Sequence, residues 1–334
     1  MSETTVFVSG VTGYIAQHIV KQLLAKGYIV VGTVRSTEKG EKLKTSLNSD
    51  KFSYEIVKAI EEEGAFDEAL KKHPEATIFL HTASPFHFNA TDIEKQLIIP
   101  AIYGTKNALK TIKQYGPQVK RVVVTSSYAA MFPKDDTDAT ITVNENSWNA
   151  ITKEVALTNP LFGYIGSKTF AEQAVWEFVK TENPSFDVSV INPVFVFGPQ
   201  AFDENAKGTL NTSAEIINSI VQLKPDDNVP NIEGGYIDVR DVAAAHIIAF
   251  EKKEAISQRL LLSAGRFTCQ DILDILHEKF PEYAANLPKG VPGSGKEATF
   301  AVLDNKKTKE ILGFELRNLE QTITDSIKQI LTNK

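Results

Sequence analysis

Residues 5–16 read TVFVSGVTGYIA, a short β-branched and apolar run that breaks at Gly10 and restarts at residue 14 as the amphipathic stretch YIAQHIVKQLLAKG. The first part has the pattern of a strand and the second that of a helix, so a tight turn must join them. Glycine at 10 permits that turn, glycine at 13 lets a ligand approach the backbone, and the small Ala16 allows helix to pack closely on strand. The first N–H groups of the helix have no partner within it and face outward as donors. A strand, a Gly-x-x-Gly-x-x-Ala turn and a helix in this order suit the pyrophosphate of a dinucleotide.

The same alternation continues outward. YIVVGTVR (28–35), a polar helical stretch over Thr37–Leu47, FSYEIV (52–57) and GAFDEALKKH (64–73) are followed by ATIFLHTAS (76–84), a long helix over 92–115, VKRVVVTSS (119–127), a helix carrying residues 164–168, and FDVSVINPV (186–194). Strands dense in Val, Ile and Phe, separated by helices, require crossover connections, and the fold expected is α/β: a doubly wound parallel sheet. After residue 199 the pattern loosens into loops rich in Pro, Gly and Asn, such as GPQAFDENAKG (198–208), KPDDNVPNIEGG (224–235) and LPKGVPGSGKE (287–297). The expected organisation is a nucleotide-binding domain over 1–199, to which 235–252 returns, and a smaller substrate lobe over most of 200–334. The loop 198–208, long and with glycine at both ends, is expected to close as a lid.

Composition narrows the partners. Thirty-six basic against 42 acidic residues give a net charge of −6, which attracts neither nucleic acid nor an anionic membrane. No apolar run approaches the ~20 residues of a membrane span. Cys269 is the single cysteine, so no intrachain disulfide forms and a reducing compartment fits. Residues 2–4 run directly into the first strand without the charged region of a signal peptide, and a cytoplasmic location is expected. The chain has no HExxH or clustered Cys/His pattern, and no metal is expected.

The second strand ends VGTVRSTEKG (31–40). An NAD-selective site usually carries an acidic residue there for the ribose hydroxyls. Arg35 and Lys39 instead offer positive charge where a 2′-phosphate would lie, which favours NADP(H). Further on, YIGSK (164–168) puts Tyr164 and Lys168 four apart, on one face of a helix and able to enter one cleft. By itself that spacing is common.

With FVSGVTGYIAQHIV, LHTASPF, RVVVTSSYAAMF, YIGSKTFAEQAVWEF, NPVFVFGPQ and GGYIDVRDVAAAH spread along the chain, the sequence resembles an extended short-chain dehydrogenase/reductase of the dihydroflavonol-4-reductase-like group. Within it the resemblance is to fungal NADPH-dependent methylglyoxal and carbonyl reductases. What this implies is a hydride transfer from NADPH to a ketone or aldehyde. Ser127 would polarise the carbonyl oxygen and Tyr164 would protonate it. Lys168 would hold the nicotinamide ribose and lower the phenol pKa from about 10. The implied cofactor contacts are Gly10, Thr12, Gly13, Tyr14, Ile15, Arg35, Lys39, Ile60, Thr82, Ala83, Ser84, Tyr164, Lys168, Pro193, Val194, Val196 and Ser213. The implied substrate pocket uses Phe86, Tyr128, Phe132, Leu161, Phe162 and Phe195, an apolar set suited to hydrophobic carbonyls. His81 is expected to be a packed strand-end residue.

One departure stands out. The family's usual adenine-contacting aspartate is replaced by Ala59 in EIVKAIEEEG, which leaves Ile60 and backbone atoms for that base. Two other functions share the fold: a non-catalytic NADP-binding sensor, and a nucleotide-sugar epimerase or dehydratase that recycles NAD. Retention of Ser127, Tyr164 and Lys168 disfavours the first, and Arg35 with the apolar pocket disfavours the second. The expected partner is a small carbonyl compound, and the expected state a monomer or homodimer.

Overall fold

The structure, a computed structural model, describes residues 4–84 and 90–333. Phe86 lies outside the described residues. In chain order the first half runs β1 (Thr5–Ser9), α1 (Tyr14–Ala25), β2 (Ile29–Val34), α2 (Thr37–Leu47), β3 (Phe52–Ile56), α3 (Asp67–Lys71), β4 (Ala76–His81), α4 (Ile99–Tyr115) and β5 (Arg121–Thr125). It continues through β6 (Thr142–Val143), α5 (Lys153–Ala156), α6 (Pro160–Glu182), β7 (Asp187–Pro193), β8 (Phe195–Phe197), α7 (Thr212–Val221), β9 (Glu233–Asp238), α8 (Val239–Glu251), β10 (Arg259–Leu262), β11 (Gly265–Thr268) and α9 (Cys269–Lys279). The C-terminal elements are α10 (Pro281–Ala284), β12 (Val302–Leu303), α11 (Lys306–Leu312) and α12 (Leu319–Thr332).

Seven strands form one parallel sheet in the order β10-β7-β5-β4-β1-β2-β3. The chain winds outward from β1 to β3, then crosses back over β1 to lay down β4. That reversal leaves a crevice beyond the carboxyl ends of β1 and β4, the place where doubly wound sheets bind ligands. Period-2 alternation divides the core between the two faces. Val6 and Val8 of β1 pack with Ile19 and Leu23 of α1 on one face. Phe7 packs with Phe79, Leu109, Ile112 and Val175 on the other. Helix α4 is preceded by a π-helical turn, Glu94–Ile98, so the helix expected over 92–115 is present with one wider turn at its start.

A three-stranded sheet, β11-β9-β8, packs with α7, α9 and α12 around a third core of Ile217, Ile220, Phe267, Leu273, Ile323 and Ile327. Cys269 is buried in this core. The return of residues 235–252 to the large sheet is made by α8, which packs with β1 and α1 residues in the first core, while β9 belongs to the small sheet. The return extends further than those limits, because β10 supplies the edge strand beside β7. Local periodicity marks such a run as a strand but does not say which sheet it joins.

Candidate active site

The turn after β1 carries the geometry its glycines allow. Gly10 has φ +70°, a conformation that costs glycine little, and a Cβ there would stand 3.0 Å from Ala83. Its N–H donates to Thr33 Oγ1 (3.0 Å), and Gly13 N–H closes the turn on Gly10 O (3.0 Å). Gly13 is the exposed N-cap of α1, with no side-chain cap and no acidic residue in the first turn. Thr12 is half-buried, its carbonyl accepting from Gln17 Nε2 (2.9 Å); Ile15 packs on the core. Tyr14 is tied away from the turn, donating its hydroxyl to Gly198 O (2.6 Å).

Opposite this turn, the segment after β4 is pinned by Ser9, whose Oγ accepts from Thr82 and Ala83 N–H (3.0 Å each). Thr82 Oγ1 donates to Ser9 O, and Ser84 continues the same half-buried segment. His81 is buried, shares a hydrogen bond with Ser9 Oγ (3.0 Å) and packs edge-on against Phe66. Burial, with the nearby positive charge of Lys168, pushes its pKa down to about 3, so it is a neutral packed residue, as the sequence reading has it. At the end of β2, Arg35 and Lys39 are exposed and neither has an ion-pair partner among the described residues. Ile60 packs its side chain against Gly104 of α4, and Asn107 Nδ2 donates to Ile60 O (3.0 Å) and Glu62 O (2.7 Å). Asn107 thus holds the loop that contains Ala59, a part the sequence reading missed.

Ser127 follows β5 as the cap of a 3-10 turn, Tyr128–Ala130, and its Oγ accepts from Ala129 N–H (3.1 Å). Helix α6 begins at a typical signal: Asn159 accepts from Phe162 N–H (2.9 Å) and Pro160 occupies the first turn. One turn further, the Tyr164 hydroxyl donates to Ser127 Oγ at 3.1 Å. Ser127 Oγ thus meets both Ala129 N–H and the Tyr164 hydroxyl. Lys168 is buried on the same helix. Burial lowers its pKa to about 8, against the opposing pull of Glu172. The phenol of Tyr164 moves the other way, raised by burial and only partly offset by the Ser127 hydrogen bond. Desolvation of the phenolate dominates.

Pro193, Val194 and Val196 are buried where β7 passes into β8, and Ser213 stands half-buried in the first turn of α7. The proposed pocket side chains divide. Tyr128 is buried, with its hydroxyl donating to Asp136 (2.6 Å), and Phe132 meets it edge-on. Phe195 packs on Phe197 and Phe267. Leu161 and Phe162 remain exposed on the first turn of α6, at 55% and 38%. Among the described residues no cluster of His, Cys, Asp or Glu could hold a metal, and no helix is long and apolar enough to cross a membrane.

A doubly wound sheet with a glycine turn at its reversal point, and a serine–tyrosine pair beside a buried lysine, defines the class. The chain belongs to the NAD dependent epimerase/dehydratase family, whose pattern matches residues 6–263. Among its relatives, the putative NADPH-dependent methylglyoxal reductase GRP2 of Candida albicans is 57% identical over 99% of both chains. The NADPH-dependent methylglyoxal reductase GRE2 of Saccharomyces cerevisiae is 51% identical over 98% of both. The crystal structure of yeast methylglyoxal/isovaleraldehyde reductase Gre2 complexed with NADPH superposes with a TM-score of 0.96, at 50% identity and 98% coverage of each chain.

Proposed function

We propose that this protein is an NADPH-dependent carbonyl reductase that converts aldehydes and ketones, 2-oxoaldehydes among them, to alcohols. The observation that carries this reading is the hydroxyl pair, Tyr164 on Ser127 at 3.1 Å, with Lys168 buried on the same helix. The relatives named above support it, since their names state NADPH-dependent methylglyoxal reduction.

The cradle fits the cofactor. The uncapped, acid-free start of α1 at the exposed Gly13 suits a pyrophosphate, and Arg35 and Lys39, exposed and without an ion-pair partner among the described residues, suit a 2′-phosphate. Thr12, Ile15, Ile60, Thr82, Ala83, Ser84, Pro193, Val194, Val196 and Ser213 would line the rest of its path. Tyr14 contributes by holding Gly198. When bound, NADPH supplies the hydride to the carbonyl carbon. Ser127 turns its free proton toward the carbonyl oxygen and orients it. Tyr164 transfers its phenolic proton from the bond with Ser127 to that oxygen, completing the alcohol. Lys168 brings a buried positive charge to the ribose hydroxyls. Phe132, Phe195 and the wall anchored by Tyr128 give the substrate an apolar surround.

A nucleotide-sugar epimerase would prefer an acidic residue at the end of β2, and Arg35 stands there instead. A lone buried cysteine suits a reducing compartment, and we place the protein in the cytoplasm as a monomer or homodimer. The test is to mix purified protein with NADPH and a panel of 2-oxoaldehydes, aliphatic aldehydes and aromatic ketones, and to follow nicotinamide absorbance. Stoichiometric loss of NADPH with alcohol formation is expected. Silence across the panel would leave a cofactor-binding sensor as the better reading.

A further inference from the structure

Behind the hydroxyl pair lies a carboxylate that takes no direct part in the reduction. Glu172 follows Lys168 by four residues and Tyr164 by eight, so it falls on the same face of α6. It is 1% exposed. A glutamate in mid-helix is ordinarily solvated, and burying one is costly unless its oxygens are filled. Here four donors fill them. Oε2 accepts from Ser126 Oγ (2.5 Å) and Asn192 Nδ2 (2.6 Å), and Oε1 accepts from Arg259 Nε (2.5 Å) and Trp176 Nε1 (3.3 Å). Asn192 Nδ2 also donates to the backbone carbonyl of Ser127 (3.1 Å). Arg259 is itself fixed, with its guanidinium 3.8 Å from the centre of the Trp148 ring and a hydrogen bond to Glu145 O (3.2 Å).

The donors come from the ends of β5 and β7, from β10 and from α6 itself. Two of them, Ser126 and Asn192, hold the segment that carries Ser127. We propose that Glu172, anchored by Arg259, is a positioning residue that keeps Ser127 Oγ within reach of the Tyr164 hydroxyl. The proposal rests on the carbonyl-reductase reading for the use of that pair, but the spacing itself can be measured without it.

Glu172→Gln preserves shape and removes the charge. Arg259 requires an acceptor at Oε1, so the new amide nitrogen faces Asn192 Nδ2, donor against donor. Asn192 Oδ1 is buried without a partner among the described residues. Turning the Asn192 amide satisfies the new donor and withdraws Nδ2 from Ser127. In a crystal structure of Glu172→Gln with NADP, the expected result is a Ser127–Tyr164 separation beyond hydrogen-bond reach. In kinetics, kcat should fall by about tenfold or more while KM and NADPH affinity stay near wild type, because misplacement by a fraction of an ångström acts on the reacting geometry. Ser126→Ala leaves the Glu172–Arg259 pair in place and should lower kcat less, again at constant KM. It decides the question if Glu172→Gln does not fold. Native spacing in the variant structures, or native kcat in a variant of an active enzyme, overturns the proposal. An inactive wild type would instead count against the reductase reading, and the measured spacing would still judge Glu172.

Discussion

At Tyr164 a single oxygen separates binding from chemistry. The phenol's hydroxyl meets Ser127, so Tyr164→Phe removes a proton donor while leaving the ring in place. NADPH affinity should be nearly unchanged and kcat should fall at least the ~10²-fold typical of a lost general acid; retained turnover would assign proton donation elsewhere. Lys168 makes a pH-dependent claim. With its pKa pushed down to about 8 by burial, the ammonium is present below that pH and is lost as pH rises through it. The kcat/KM for carbonyl reduction should therefore decline above about pH 8, and a profile still flat two units higher would show that the charge is dispensable. Arg35 distinguishes two cofactors that differ by one group. A hydrogen bond to a charged partner is worth about 1.5–3 kcal/mol, so Arg35→Ala should weaken NADPH binding roughly 10- to 150-fold and NADH binding little. Equal losses would assign Arg35 to the adenine or the fold. Lys39, a flexible point charge, should cost less and be masked more readily by salt.

Among the elements, α1 does more than present its N-terminus. Tyr14 donates to Gly198 O (2.6 Å), His18 Nε2 to Pro199 O (2.9 Å) and Lys21 Nζ to Ala201 O (2.6 Å), three successive grips along one helix face. Asn205 Nδ2 donates to Gln17 Oε1 (2.9 Å). Most of the loop expected to act as a lid is thus latched to α1. The part left for closure is shorter, around the exposed Lys207, Gly208 and Thr209. Trypsin should cut after Lys207 in the free protein and more slowly with NADPH bound. Equal cleavage in both states would remove this segment from any lid. Tyr14→Phe, which deletes one grip, should speed cleavage without NADPH.

For the whole molecule, three buried histidines among the described residues make stability sensitive to acid. Burial pushes His18 and His246 down to about 4 and His81 to about 3. Each is neutral in the fold and takes up a proton more readily when unfolded, so the unfolded chain binds more protons between about pH 6.5 and 4. Stability is full above that window and is lost as pH falls through it, by up to about 1.4 kcal/mol per pH unit for each histidine. His246 illustrates the constraint: Nδ1 faces Val242 O (2.8 Å) and Nε2 faces Thr125 Oγ1 (2.7 Å), directly beneath the end of β5. Urea midpoints measured from pH 7 to 4.5 should fall, and His246→Gln should shallow the slope. Equal midpoints would mean that these rings titrate normally.

Much of this was written locally. The β1 turn, the limits of α2 and the parallel strands follow from glycine placement, capping residues and runs of β-branched side chains, because those preferences act over a few residues. The pairing of Tyr164 with Lys168 on one face follows from helical spacing for the same reason. What the chain alone could not reveal depends on residues far apart. Nothing local marks Glu172 as buried; Arg259, 87 residues on, closes over it. The bond from the Tyr14 hydroxyl to Gly198 O spans 184 residues, and β10 reads as part of the outer lobe until it pairs with β7. The phenol's pKa rises with its own burial, and burial belongs to the packed structure and to no single segment.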